Sequence, residues 1–436
     1  VTRADRFSPR TAFAVVVANM IGTGVFTSLG FQLEDIQSGF VLLALWAVGG
    51  LAALCGALCY AELGSTLPRS GGEYHFLAQA YHPAAGFVSG WVSATIGFAA
   101  PIALAAITFG TYLASVFPAL DASLLAAGLI MGLAAVHAGS RRGGAGLQRA
   151  FTALKVALIV VFCGVCWALV DTPQPVSFTP QAGDGAALLG GAFAVSLIYV
   201  NYAYTGWNAA TYLTSELAHP ERSLRSVLVL GTLTVTALYL MLNFTFLYVT
   251  PIAAMTGQLE VGYIAADAVL GPRGGAVMGT VLGLLLVSTV SAMVLAGPRV
   301  LQVMGQDFAV LAPLARTNRH GIPWLAVLLQ SGLALIFMVT ASFESILVFS
   351  GFILGLNTFF AVLAVVVMRW RRPELPRPCP VPLYPLPVIV YLALTGWTLV
   401  YLLITRPEEA LVALAVVFVG GLGYRWSARM GFNGPA

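Results

Sequence analysis

The strongest constraint on this chain is its succession of apolar runs, each unbroken for about twenty residues, the length of a helix that crosses a hydrocarbon core. A run of that kind must satisfy its own backbone amides, which only a helix or a closed barrel does. A barrel would alternate apolar and polar residues over stretches of roughly ten. No such alternation is present, so the fold class is an all-α membrane protein. Composition agrees: of 436 residues, 59% are hydrophobic and 9% charged, against about 25% charged in a soluble domain. Reading the runs between polar punctuation predicts about twelve spans, at 11–33, 39–62, 84–117, 121–139, 147–170, 186–213, 225–250, 273–304, 323–342, 344–370, 385–405 and 409–426. The third is long and carries Pro101, which predicts a strong tilt, and the long eighth is expected to run on past the bilayer. No soluble domain fits between them, so residues 1–436 are expected to form one domain. Thr2 to Arg10 are polar and basic, and the first run lacks a small-residue cleavage site, so it is expected to stay as an anchor.

Arginine predicts the orientation. With a cytoplasmic N-terminus, 18 of the 20 arginines fall on the inner side: Arg3, Arg6, Arg10, Arg69, Arg141, Arg142, Arg149, Arg222, Arg225, Arg299, Arg316, Arg319, Arg369, Arg371, Arg372, Arg377, Arg425 and Arg429. Only Arg273 and Arg406 fall outside. This bias predicts a multi-pass protein of the cytoplasmic (inner) membrane with both termini cytoplasmic. The net charge of +4 is then a topology signal, and no nucleic-acid partner is implied. Cys163 and Cys166 have CxxC spacing but lie in an apolar run, Cys55 and Cys59 share a helical face, and Cys379 stands in a proline-rich loop. They are read as packing and loop residues. The five histidines lack ligand spacing, so no metal, cofactor or disulfide is expected.

Two spans carry polar interruptions at matching positions. The first reads Asn19-Met20-Ile21-Gly22-Thr23-Gly24-Val25-Phe26, and the sixth Asn201-Tyr202-Ala203-Tyr204-Thr205-Gly206-Trp207-Asn208. With five spans to a half, these open the two halves, at 1–170 and 186–370, and leave 385–426 as two additional helices. Corresponding broken helices point to a transport site. Unwound amides and carbonyls at mid-depth need protein, water or substrate to complete their hydrogen bonds, and a zwitterion offers a carboxylate to the first and an ammonium to the second. The competing reading is that Gly22 and Gly24 only allow close helix packing. A side chain at Gly24 is expected to fill the carboxylate's space.

Lys155 is the single lysine and the only charge deep inside a predicted span. Such a charge costs roughly 2.5–3.5 kcal/mol at a helix centre on insertion scales. It could snorkel toward the interface near Arg149. Alternatively it acts as an internal cation, holding the carbonyls of the unwound first helix or exchanging a proton during transport.

These residues, together with Tyr60-Ala61-Glu62-Leu63-Gly64, Pro68-Arg69-Ser70-Gly71-Gly72-Glu73-Tyr74 and Glu216-Leu217-Ala218-His219-Pro220-Glu221-Arg222, resemble the amino acid–polyamine–organocation superfamily. The likeness is greatest to the L-type amino acid transporters and their bacterial relatives, and it covers essentially the whole chain. The resemblance implies a five-plus-five inverted repeat, with helices one and six broken and two helices added at the C-terminal side. It also implies alternating access to an amino acid. Gly22, Thr23 and Gly24 match the motif that receives the substrate carboxylate, and the backbone of Met20, Tyr202 and Thr205 the positions that receive its ammonium. Ile21, Ala203 and Gly206 complete the two matching stretches. Tyr202 matches an aromatic gate and Asn208 a polar neighbour of the site. Lys155 matches a lysine standing where sodium-coupled members bind an ion, which implies sodium independence, and Ser288 or Ser291 is expected beside it. Thr23 replaces the commoner serine. The connector Phe117 to Asp121 lacks the cysteine by which animal relatives attach a glycoprotein, so no disulfide-linked subunit is expected.

The resulting expectation is a transporter of small neutral L-amino acids, sodium-independent and working by exchange. Proton symport is the nearest alternative. A cationic amino acid or polyamine carrier would present a membrane-embedded carboxylate, and the sequence places none at the site, since Glu62 and Glu216 fall near inner ends and the other acids in loops or at span ends. A channel needs no paired breaks, and a membrane enzyme lacks a candidate cluster.

Overall fold

The computed structural model describes residues 8–69, 71–139, 145–217 and 219–430. Arg3, Arg6, Arg141, Arg142, Ser70 and Ala218 lie outside the described residues, as do the side chains of Arg149 and Glu216. The described residues form helices and no strand. In chain order these are α1 (Pro9–Met20), α2 (Gly24–Asp35), α3 (Gly39–Thr66), α4 (Glu73–Ala80), α5 (Pro83–Val92), α6 (Ala99–Val116), α7 (Ala122–Gly139), α8 (Ala145–Leu169) and α9 (Asp184–Leu188). They continue with α10 (Gly191–Tyr204), α11 (Pro220–Val249), α12 (Ile252–Met255), α13 (Val261–Asp307), α14 (Ala312–Ala315), α15 (Trp324–Thr340), α16 (Phe343–Arg371), α17 (Leu386–Thr405) and α18 (Pro407–Met430). Their starts are chemically marked. Ser8, Ser38 and Ser342 cap α1, α3 and α16 by accepting from the N–H groups of Thr11, Val41 and Ser345, and proline opens α1, α5 and α11, where no N–H is needed.

Among the described residues ten segments are long and apolar enough to cross a membrane, counting α1 with α2 and α5 with α6. The other two predicted spans are shorter helices: α15 has 17 residues, and α10 has 14 before it gives way to a 3₁₀ turn at Ala209–Glu216. The third span is not one tilted rod, because five residues of π-helix, Ser93–Gly97, separate α5 from α6. The extra length of α13, 47 residues, is two helices end to end, divided at Gly271 where φ is 70°. Pro272, which cannot donate to the preceding turn, follows it. Large apolar side chains face outward all round, among them Leu124, Val339 and Ile404, as lipid-facing surfaces require.

The two ends of the molecule are tied differently. At one end the C-terminus of α16 meets α3, where Arg369 donates to Glu62 through Nε at 2.8 Å and a second nitrogen at 2.5 Å. The 372–385 connector folds over this pair, with the Val381 N–H donating to Glu62 at 2.7 Å. Arg69, Arg225, Arg371 and Arg377 make their contacts at this arginine-rich end. At the opposite end Phe31 stacks between Tyr199 and Phe343, with ring centroids 5.8 and 5.9 Å away. Glu344 there accepts from Tyr199 at 2.8 Å and Arg406 at 2.6 Å.

Candidate functional site

Helix α1 ends at Met20 and α2 begins at Gly24, so Ile21 to Thr23 form the break the sequence predicts. Helix α10 ends at Tyr204, and the chain passes through Thr205–Asn208 before resuming as the 3₁₀ turn. The glycines explain why the two breaks meet. A Cβ on Gly24 would stand 2.6 Å from the Ala203 Cα, and one on Gly206 2.7 Å from the Asn19 carbonyl carbon. Each broken helix thus lays a glycine on the backbone of the other just before the other's break. Gly206 also has φ 103°, a conformation that favours glycine. The close-packing role falls to Gly24, and a side chain there would meet helix backbone rather than a carboxylate. Gly22 is the open position, with only the Met20 carbonyl oxygen in reach of a Cβ, at 3.9 Å.

Three side chains hold the unwound backbone. The Lys155 ammonium, 5% exposed, donates to the Ile21 carbonyl at 3.0 Å and to the Thr289 hydroxyl at 2.8 Å. It therefore points inward and does not snorkel. The hydroxyl beside it is neither Ser288, which donates to the Leu285 carbonyl of its own helix at 2.7 Å, nor Ser291, which bonds His137 at 2.7 Å. At about 3.6 residues per turn these neighbours point in different directions, and only Thr289 faces α8. The Tyr239 hydroxyl of α11 lies 2.6 Å from the Met20 carbonyl and 2.9 Å from that of Ala203, so one proton is shared between the two breaks. The Tyr202 carbonyl accepts from the Thr205 N–H at 3.0 Å and its hydroxyl at 2.6 Å.

A cavity of about 500 Å³ opens beside the breaks. Met20, Gly22, Thr23, Gly24, Tyr202, Ala203, Thr205, Gly206 and Asn208 all line it, whereas Ile21 and Lys155 line a small adjoining void. From the breaks the cavity runs past Met293, Arg299 and Gln302 of α13 to Glu73, Tyr74 and Gln306, which lie toward the arginine-rich end. The first N–H groups of α2 have no partner within the helix. The Met20 carbonyl accepts from the Gly22 N–H at 2.8 Å and from Tyr239, and the Tyr202 carbonyl accepts twice from Thr205, so an ammonium there would exchange with these donors. The Ala203 carbonyl accepts from Tyr239. The wall accordingly offers donors for a carboxylate on one side and acceptors for an ammonium on the other.

Sequence reasoning missed Glu73, Tyr239 and Thr289. Glu73 is 1% exposed and receives three hydrogen bonds, from Tyr60 at 3.0 Å, Asn208 at 2.5 Å and Tyr212 at 2.6 Å. The cavity wall therefore does contain a carboxylate, contrary to the expectation that every acid lay away from the site. Asn208 turns its amide toward it. The signals were the paired glycines before Glu73 and the polar Tyr239 and Asn243 within an apolar run.

An all-helical membrane protein with two facing helix breaks, and a cavity offering backbone groups of both polarities, is a carrier of small solutes. The sequence profile of the amino acid permease family matches residues 7–421, and the chain belongs to that family. It is 29% identical to the mouse (Mus musculus) b(0,+)-type amino acid transporter 1 over 391 residues, covering 88% of this chain and 79% of the mouse protein. To the human (Homo sapiens) protein of that name it is 26% identical over 419 residues, 94% of this chain and 85% of that one. To the mouse large neutral amino acids transporter small subunit 2 it is 29% identical over 449 residues, 96% and 81% of the two chains. The protein is an amino acid transporter and not an enzyme.

Proposed function

We propose that the protein exchanges small neutral L-amino acids across the cytoplasmic membrane by alternating access, independently of sodium, with both termini in the cytoplasm. The observation that carries this reading is the Lys155 ammonium placed between the first break and Thr289. A resident cation at that junction repels a second one, so a sodium ion has no favourable place there. The substrate carboxylate is assigned to the N-terminus of α2 at Gly22, Thr23 and Gly24. Its ammonium is assigned to the carbonyls of Met20, Tyr202, Ala203 and Thr205. Tyr202 acts as the gate above them. The five-plus-five organisation at 1–170 and 186–370, with 385–426 added, supplies the two halves that rock about this site. No covalent partner is proposed, because the 117–121 connector has no cysteine and all five cysteines are buried.

The arginine bias supports a cytoplasmic placement of the arginine-rich end, so the cavity runs toward the inside. A cationic substrate is the second reading, since Glu73 faces the cavity. Its oxygens are occupied by three donors from the protein, which favours the neutral class. Purified protein in liposomes tests the proposal. Uptake of labelled alanine should far exceed that of lysine, require internal amino acid and ignore sodium and proton gradients. Sodium stimulation, or uptake without internal substrate driven by a proton gradient, would overturn exchange.

A further inference from the structure

Glu73 has no cation within ion-pair distance among the described residues, yet it is buried in the cavity wall. Its three donors come from two places. Tyr60 belongs to α3, while Asn208 and Tyr212 stand four residues apart at the start of the 3₁₀ turn that continues the second broken helix. One carboxylate therefore collects two donors of the segment beyond the break. The motif before it is shaped for this contact. Gly72 has φ 53° and a Cβ there would stand 2.5 Å from the Tyr212 ring, so only glycine lets the ring lie against the turn that opens α4. The next residue reaches the other wall of the cavity. Tyr74 donates to Asp307 at the end of α13 at 2.6 Å, and Asp307 pairs with Arg69 at 3.6 Å. Adjacent side chains of one helical turn thus grip the second broken helix and α13.

We propose that Glu73 is a positioning residue for transport. It fastens the segment beyond the second break through Asn208 and Tyr212, and so keeps the arginine-rich mouth of the cavity open between that segment and α13. Buried carboxylates accepting several hydrogen bonds are held firmly, because each charge-assisted bond is about twice as strong as a neutral one. Letting go of this anchor is then a step of the transport cycle, and the substrate does not touch it. The inference rests on the transport reading above.

The test uses Glu73→Gln, Tyr212→Phe and the double variant, each with and without Gln302→Cys at the cavity wall. Maleimide labelling of the purified protein in detergent reports the mouth without requiring transport, so it stands even if no amino acid is carried. Labelling of the introduced cysteine should slow about tenfold in Glu73→Gln, the worth of a hydrogen bond to a charged group. Exchange of alanine should fall by a similar factor, with substrate affinity little changed. Tyr212→Phe, which removes only a hydroxyl, should give a smaller effect and add nothing in the Glu73→Gln background. Unchanged labelling, strictly multiplicative effects, or a loss confined to substrate affinity would overturn the proposal, the last by making Glu73 a substrate subsite.

Discussion

The two helix breaks are held by opposite charges. At the first, between α1 and α2, a cation fastens the free carbonyl of Ile21: Lys155 on α8 donates to it and ties it to Thr289 of α13. At the second, beyond α10, an anion fastens donors: Glu73 collects Asn208 and Tyr212. Tyr239 serves both, its hydroxyl within reach of the Met20 and Ala203 carbonyls. The polarity follows from what each break leaves unpaired. A helix that stops exposes carbonyls, which call for a donor. A 3₁₀ turn carrying Asn208 and Tyr212 exposes side-chain donors, which call for an acceptor. Each charge sits on an element outside the broken helix it holds, so the conformation of the break depends on tertiary packing and is free to change with it.

The largest expected effect comes from the glycines that press the breaks together. Gly206→Ala should cost about 3 kcal/mol or more, because it combines a strained positive φ with a collision against the Asn19 backbone. Gly24→Val should be similarly severe. Gly22→Ala enters open space and should leave thermal stability in detergent within about 0.5 kcal/mol of wild type, while weakening substrate binding. A melting temperature for Gly22→Ala as low as that of Gly206→Ala would erase the distinction between the packing glycines and the cavity glycine.

Next comes the cation. Lys155→Ala leaves the Ile21 carbonyl without its ammonium and should lower exchange roughly 10- to 100-fold, the range for a hydrogen bond to a charged group. Expression and monodispersity should suffer much less. Counterflow of labelled substrate into liposomes provides the measurement. Wild-type rates in this variant would show that the first break needs no fastening, and the contrast between the two breaks would lose one of its terms.

How much of this was legible in the sequence depended on whether the signal was local. The breaks were readable because glycines beside polar residues are out of place in the middle of an apolar run. Lys155 was readable because a lone lysine there is costly unless used. Its partner was not: choosing Thr289 over Ser288 or Ser291 requires the rotation of α13 about its axis, which packing decides. Gly24 was read as substrate space because its true neighbour, Ala203, is 179 residues away in the chain. Glu73 was passed over because its position near a span end suggested solvent. Its burial comes from Tyr60, Asn208 and Tyr212 arriving from elsewhere. The twelve segments were countable, yet the division of α13 at Gly271 and the π turn at Ser93–Gly97 are backbone adjustments that hydropathy does not register.

The smallest expected effect concerns the turn that carries the anion. His75, two residues after Glu73 and outside the spans, has its pKa pushed down to about 4 by burial and, secondarily, by the Arg69 guanidinium. Its unfolded value is 6.5, so between these two values the unfolded chain binds a proton that the folded one does not. The sign follows: the neutral imidazole's contribution to stability is complete above about pH 6.5 and is lost as the pH falls through that window. Because His75 is only partly buried, the effect should be about 1 kcal/mol after allowance for screening. Wild-type protein should therefore melt at a lower temperature at pH 5 than at pH 7.5, and His75→Gln should remove part of that difference. If the anchor at the second break depends on the α4 turn while the first break does not, the labelling rate of Gln302→Cys should share this acid sensitivity. The exchange defect of Lys155→Ala relative to wild type should then stay the same at both pH values, provided both proteins carry His75. An acid-sensitive Lys155→Ala defect would instead show that the two fastenings, Lys155 and Glu73, act on one another across the contacts that join the breaks.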